Sequence, residues 1–155
     1  MAQMQKLEVV NEVQCSGDKI YRSFTSSAPQ LPKYLPKTIL SVQVNAEGEN
    51  RLGTDFVWKF IPDGESTTVT NKARLTAVDN ESRSVTWTVV EGDTLKYFDS
   101  FNFNLDVTPK FGGTSLVKWS VEYEKNNADV PDPIGLMKTL ETMTVGMNLQ
   151  LLKQA

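Results

Sequence analysis

VPDPIGLMKTLETMTVGMNLQLLK, residues 130–153, is the stretch whose reading decides the fold. Here Met137, Leu140, Met143 or Thr144, Met147 and Leu151 recur at helical spacing, after a long region of strand-like alternation. Asp132 is placed to cap this helix and Pro133 to open it. Residues 134–153 predict a helix of roughly 20 residues, about 30 Å long at 1.5 Å per residue, enough to cross a whole domain. A strongly curved sheet needs something in its concave face, and no other predicted element is large enough.

Working outward from the helix, residues 115–125 place Val117, Trp119, Val121 and Tyr123 on one side of a strand, after a Gly112-Gly113 hairpin turn. Further back lie strands at 95–108, 84–90, 67–78, 54–60 and 39–46. They are separated by turns at Gly92-Asp93, Asp79-Asn80, Pro62 to Gly64 and the segment EGENRLG. Phe56, Trp58 and Phe60 share a face of one strand, and Val85, Trp87 and Val89 share a face of another. The first strand spans 6–14, with Leu7, Val9 and Val13 on a face that Asn11 interrupts. Ser16 then caps a short helix carrying Ile20, Tyr21 and Phe24. Pro29, Pro32 and Pro36 restrict residues 28–36 to a broken helical turn or two. The short links imply an antiparallel meander.

Composition removes several function classes. The 155 residues suit one domain, 39% are hydrophobic and 23% charged, and the net charge is −3. Scattered cations and an acidic balance argue against a nucleic-acid partner. No apolar run approaches the roughly 18 residues that span a bilayer. The opening MAQMQKLEVV lacks a basic region followed by an apolar run, so a cytoplasmic location is expected. The single Cys15 can form neither an internal disulfide nor a zinc site. There is no histidine, which excludes Ser–His and Cys–His catalysis and removes the commonest metal ligand.

Three stretches carry a family resemblance: KLEVVNEVQCSGDKIYRSF at 6–24, SRSVTWTVVEGDTLKYFDSF at 82–101 and VTPKFGGTSLVKWSVEYEKNNADVPDP at 107–133. With the order strand, two short helices, six strands, long helix, the chain resembles the birch-pollen-allergen (pathogenesis-related class ten) superfamily and is similar to its major latex protein-like branch. The resemblance implies a single α+β domain over 1–155 with the helix-grip fold. In that fold a seven-stranded antiparallel sheet wraps a long C-terminal helix, leaving a cavity for apolar metabolites. Some members of that superfamily are cofactor-free enzymes of plant specialised metabolism. Three features depart from the family pattern. The glycine-rich loop is reduced to Gly48 and Gly53; Ala73 stands where relatives often carry an acid; and the end of the last helix, TMTVGMNLQLL, has no ionisable residue. Ribonuclease activity, sometimes claimed for relatives, fits poorly with the eroded loop and the missing histidine.

Alternation and resemblance together predict a ligand-binding wall. From the strands it takes Val9, Phe56, Trp58, Phe60, Ala73, Leu75, Val85, Trp87, Val89, Phe98, Trp119, Val121 and Tyr123, and from the helix Leu136, Met137, Leu140, Met143 and Met147. Gly135 and Gly146 either open space beside the helix or serve close packing. Polar candidates are few. Asn11 orients a ligand or makes a structural hydrogen bond; on the 95–108 strand Phe98 and Ser100 share one face and Tyr97, Asp99, Phe101 and Phe103 the other, either of which can face the cavity, and a bulge near Ser100 would let both sets contribute. Two functions follow from this wall. One is a cyclase or isomerase that steers a reactive terpenoid (iridoid-type) or alkaloid intermediate, needs no cofactor or metal, and associates with upstream pathway enzymes. The other is a carrier that sequesters an apolar metabolite or hormone.

Overall fold

The computed structural model describes residues 4–45 and 51–154. Gly48 of the reduced loop lies outside them. In chain order the elements are β1 (Gln5–Val13), α1 (Gly17–Phe24), a 3-10 turn (Ala28–Gln30), α2 (Leu31–Tyr34), β2 (Ile39–Val44), β3 (Asp55–Phe60), β4 (Val69–Asp79) and β5 (Ser84–Gly92). A second 3-10 turn (Asp93–Lys96), β6 (Phe98–Pro109), β7 (Ser115–Lys125) and α3 (Ile134–Lys153) complete the chain. The strands form one seven-stranded antiparallel sheet in the order β1-β7-β6-β5-β4-β3-β2. This is the expected α+β helix-grip architecture. α3 packs against β1, β7, α1 and α2, so the helix leans towards one end of the sheet. No helix among the described residues is long and apolar enough to cross a membrane.

Local chemistry explains the elements. Ser16 caps α1 by accepting from the Lys19 backbone N–H at 3.2 Å, and the helix buries Ile20, Tyr21 and Phe24. The β3–β4 turn is fastened to α3. Thr139 Oγ1 accepts from the Asp63 N–H at 2.7 Å, and Thr142 Oγ1 donates to Asp63 Oδ2 at 2.8 Å. These bonds fix the helix relative to the sheet edge that closes the interior.

Two expectations need correction, and one open choice is settled. Asp132 does not cap α3, because its carboxylate is taken by the Tyr123 hydroxyl at 2.8 Å and Lys125 Nζ at 2.9 Å, leaving Pro133 at the cap. The strand placed at 95–108 starts at Phe98, since residues 93–96 wind into the 3-10 turn after Gly92. A bulge falls between Phe98 and Ser100. It switches the alternation so that Phe98, Phe101, Leu105 and Val107 are all buried. Gly146 opens no space: a Cβ there would lie 2.6 Å from Leu35 Cδ2, so its role is close approach of the α2 exit to α3.

Candidate functional site

Large aromatic rings at inward positions of β3, β5 and β7 form a continuous arc across the interior. Phe24 of α1 meets Trp119 of β7 edge-on at 5.3 Å, and Trp119 stacks on Trp87 of β5 at 5.9 Å. Trp87 in turn meets Phe56 and Trp58 of β3 edge-on at 5.6 and 6.1 Å. Between this aromatic arc and α3 lies an apolar hollow. Ile39, Trp58, Phe60, Asn71, Ala73, Trp87, Phe103 and Trp119 of the sheet line it, facing Leu136, Thr139, Leu140 and Met143 of the helix. None of these side chains is ionisable. Ala73, flanked across the ladders by Phe56 and Val89, contributes only a methyl group where a larger side chain would fill the space.

The hollow is smaller than expected, about 50 Å³. An engineered apolar void of about 150 Å³ takes benzene, so a ten-carbon guest does not fit this closed arrangement. The tryptophan and methionine side chains fill most of the interior themselves. A second space adjoins it: an open cleft of about 360 Å³ at the rim, between the β3–β4 turn, the Asp93–Lys96 turn and the start of α3. Phe60 and Leu136 line both spaces and stand between them. A third, mixed cleft of about 440 Å³ lies between α1, α2 and α3, with Lys19, Arg22 and Met147 in its walls.

Polar groups on the wall are almost all committed within the protein. Asn71 donates to Thr94 Oγ1 at 2.7 Å and accepts from the Thr94 N–H at 3.1 Å. Thr139 Oγ1 donates to the Gly135 carbonyl at 2.9 Å. Trp119 Nε1–H donates to Thr144 Oγ1 at 2.9 Å. Trp87 Nε1–H, also buried, has no acceptor among the described residues.

The predicted residues therefore separate into groups. Trp58, Phe60, Ala73, Trp87, Trp119, Leu136, Leu140 and Met143 come together around the hollow. Phe56, Leu75, Val85, Val89, Val121 and Met137 are buried in the surrounding core. Val9 is half-buried beside them, Phe98 lines the rim cleft, and Met147 belongs to the cleft beneath α1. The polar candidates do not converge. Asn11 Nδ2 donates to Glu141 Oε2 at 3.2 Å across the β1–α3 seam, a structural hydrogen bond. Tyr97 is 58% exposed at the rim cleft, and Asp99 is exposed on the outer face. Ser100 Oγ is enclosed at the bulge, away from the hollow.

Sequence reasoning missed Ile39, Asn71 and Thr139, and left Phe103 open. Thr139 was within reach, one turn from Leu136 and Met143 on the same helical face. Phe103 was hidden by the bulge, and nothing marks Asn71 as inward except its register opposite Trp58. Among the phenols, Tyr123 is raised to about 12 by burial and its bond to Asp132, and Tyr21 donates to Asn80 Oδ1 at 2.7 Å. Neither is free to serve a guest. Burial also pushes the Cys15 thiol up, away from nucleophilic character.

Comparison with known proteins agrees with this architecture. The family model described as "Pathogenesis-related protein Bet v 1 family" matches residues 2–154. MLP-like protein 43 of Arabidopsis thaliana is 34% identical, over 86% of this chain and 84% of its own length. Major latex protein 146 of Papaver somniferum is 30% identical, over 94% and 90%. The chain spans only 42% of the length of another relative, MLP-like protein 34 of Arabidopsis thaliana, to which it is 35% identical over 85% of its own length. Among solved structures, major latex-like protein 151 from Panax ginseng superposes with a TM-score of 0.86 at 28% identity, covering 95% of this chain and 97% of that one. Norcoclaurine synthase from Thalictrum flavum shares the fold, with a TM-score of 0.79 at 21% identity, covering 99% and 90%. This chain belongs to the pathogenesis-related protein Bet v 1 family, within its major latex protein-like branch.

Proposed function

We propose that this chain binds a small hydrophobic plant specialised metabolite in the tryptophan-walled hollow. There it acts as a cofactor-free cyclase or isomerase on a reactive terpenoid (iridoid-type) or alkaloid intermediate. The observation that carries the reading is the wall itself: Trp58, Trp87 and Trp119 face Leu136, Leu140 and Met143 with no ionisable side chain among the lining residues. Such a wall supplies apolar burial, at about 25 cal/mol per Å² before association costs. It does not supply acid–base catalysis. Cyclisation and isomerisation redistribute bonds within one molecule and need no co-reactant. Holding an already reactive intermediate folded and dry is therefore enough to steer it.

A ten-carbon guest enters only if Phe60 and Leu136 part, joining the hollow to the rim cleft, and if Met143 yields. Methionine is suited to that. Binding is then population of an open state, and the guest contributes the differential affinity. The structure of norcoclaurine synthase in complex with dopamine and hydroxybenzaldehyde supports the idea that this fold admits small aromatic molecules. A cytoplasmic location and association with upstream pathway enzymes belong to the same proposal, as does a single domain over residues 1–155.

The second reading, a carrier for an apolar metabolite or hormone, is favoured by the same lack of acid–base groups in the wall. Incubating the pure protein with a panel of reactive terpenoid dialdehyde and alkaloid intermediates separates the two. The enzyme reading expects a product stereochemistry that differs from the protein-free control. Unchanged ratios with tight binding would leave the carrier.

A further inference from the structure

Resting on that reading, we propose that the guest presents a carbonyl oxygen to the indole Nε1–H of Trp87. Trp87 is 2% exposed, lines the hollow, and its Nε1–H is enclosed with no hydrogen-bond partner among the described residues. A buried donor left without an acceptor is destabilising, and native proteins rarely keep one without a reason. The rings around it offer at most a π face, which is a weaker acceptor than a carbonyl.

The other polar groups of the wall each have a partner within the protein. Asn71, Thr139 and Trp119 are satisfied by Thr94, by Asp63 and Gly135, and by Thr144. Among the described residues two further buried side-chain atoms lack partners, Asn11 Oδ1 and Ser100 Oγ, but neither residue lines the hollow. Among the described residues, Trp87 Nε1–H is thus the one enclosed polar side-chain atom of the wall with no partner at all. A guest that carries a carbonyl supplies the acceptor this donor lacks. A hydrogen bond from Trp87 would also draw electron density towards the carbonyl oxygen and fix which end of the molecule faces β5.

Camphor and bornane test this, being rigid ten-carbon molecules of nearly the same shape that differ by the carbonyl oxygen. In calorimetric titration of the full chain, camphor is expected to bind about tenfold more tightly than bornane. Tenfold corresponds to about 1.4 kcal/mol, within reach of one neutral hydrogen bond inside a protein. In 1H–15N spectra the indole resonance of Trp87, assigned by its loss in Trp87→Phe or by elimination from Trp58→Phe and Trp119→Phe, is expected to shift downfield with camphor and not with bornane. Trp87→Phe should bind both equally; should that variant not fold, the wild-type titration and indole shift decide alone. Equal binding of both molecules with an unmoved Trp87 resonance, or a shift confined to Trp58 or Trp119, overturns the carbonyl contact and leaves hydrophobic binding intact. Failure of both molecules to bind overturns the binding reading, and the contact with it.

Discussion

At the scale of single residues, the interior is organised by where its few polar atoms find partners. Thr144 holds two at once: it accepts from Trp119 Nε1–H at 2.9 Å and donates to the Leu140 carbonyl at 2.8 Å. Thr144→Val keeps the shape but strands the indole donor in a dry site, so it should lower stability by about 1–3 kcal/mol. Urea denaturation measures this, and Thr144→Ser should recover most of the loss because it restores the hydroxyl. An unchanged midpoint for the valine variant would mean that the indole finds water or another acceptor. Leu136 is half-buried between the hollow and the rim cleft, on the route that the proposed binding requires. Leu136→Ala removes one side of the barrier. It should raise the association rate of a ten-carbon probe severalfold at a stability cost of up to about 2 kcal/mol, since the site is not fully enclosed. Stopped-flow quenching of tryptophan fluorescence reads the rate, and an association rate equal to wild type would show that entry lies elsewhere.

At the scale of elements, most of the architecture was legible because it rests on period. The change from alternation to helical spacing at Pro131–Ile134, the Gly112-Gly113 hairpin and the prolines of residues 28–36 all give local instructions that the fold obeys. What escaped was non-local. The bulge at Phe98–Ser100 is set by pairing with Glu124 and Lys125, so it turns Asp99 outward and brings Phe103 opposite Trp87 in a way no window on β6 alone contains. The EGD turn hides a similar constraint. Gly92 has φ +129°, and a Cβ there would lie 2.4 Å from the Thr70 carbonyl oxygen, a backbone atom with no freedom to yield. Gly92→Ala should therefore cost more than the roughly 1–3 kcal/mol of backbone strain alone. It should also disturb the Thr70–Asp93 and Asn71–Thr94 bonds that seat the rim turn. Gly146→Ala makes the contrast, because its obstacle is only the tip of Leu35 and the helix gains about 1 kcal/mol of propensity. Thermal unfolding should show a large drop for the first and a change within about 1 kcal/mol for the second.

At the scale of the whole molecule, the volume of the hollow was beyond sequence reading. It is a small difference between a curved sheet's interior and the summed size of the rings and methionines that fill it. The absence of histidine, by contrast, is read directly and sets the response to pH. Asp18, Asp55, Asp93 and Asp132 are held below the ordinary carboxylate range by hydrogen bonds from Arg83, Arg74, the Thr70 N–H and Lys125 respectively. A carboxylate depressed in the folded state takes up its proton first in the unfolded chain, so its contribution is complete above the unfolded value of about 4 and is lost as pH falls through the folded values. At the other end, Cys15 and Tyr123 are raised by burial, Tyr123 to about 12. The unfolded chain ionises these groups first, so stability falls from about pH 9 upward. With no histidine, no side-chain type present has its ordinary pKa between about pH 5.5 and 8.5, so both stability and apolar ligand binding should be flat there. Urea midpoints across pH 3–11 check this, and a step of histidine-like size near neutrality would contradict it. Asp132→Asn should flatten the acid limb, because Lys125 and the Tyr123 hydroxyl then lose the carboxylate whose protonation they oppose. Tyr123→Phe should flatten the alkaline one.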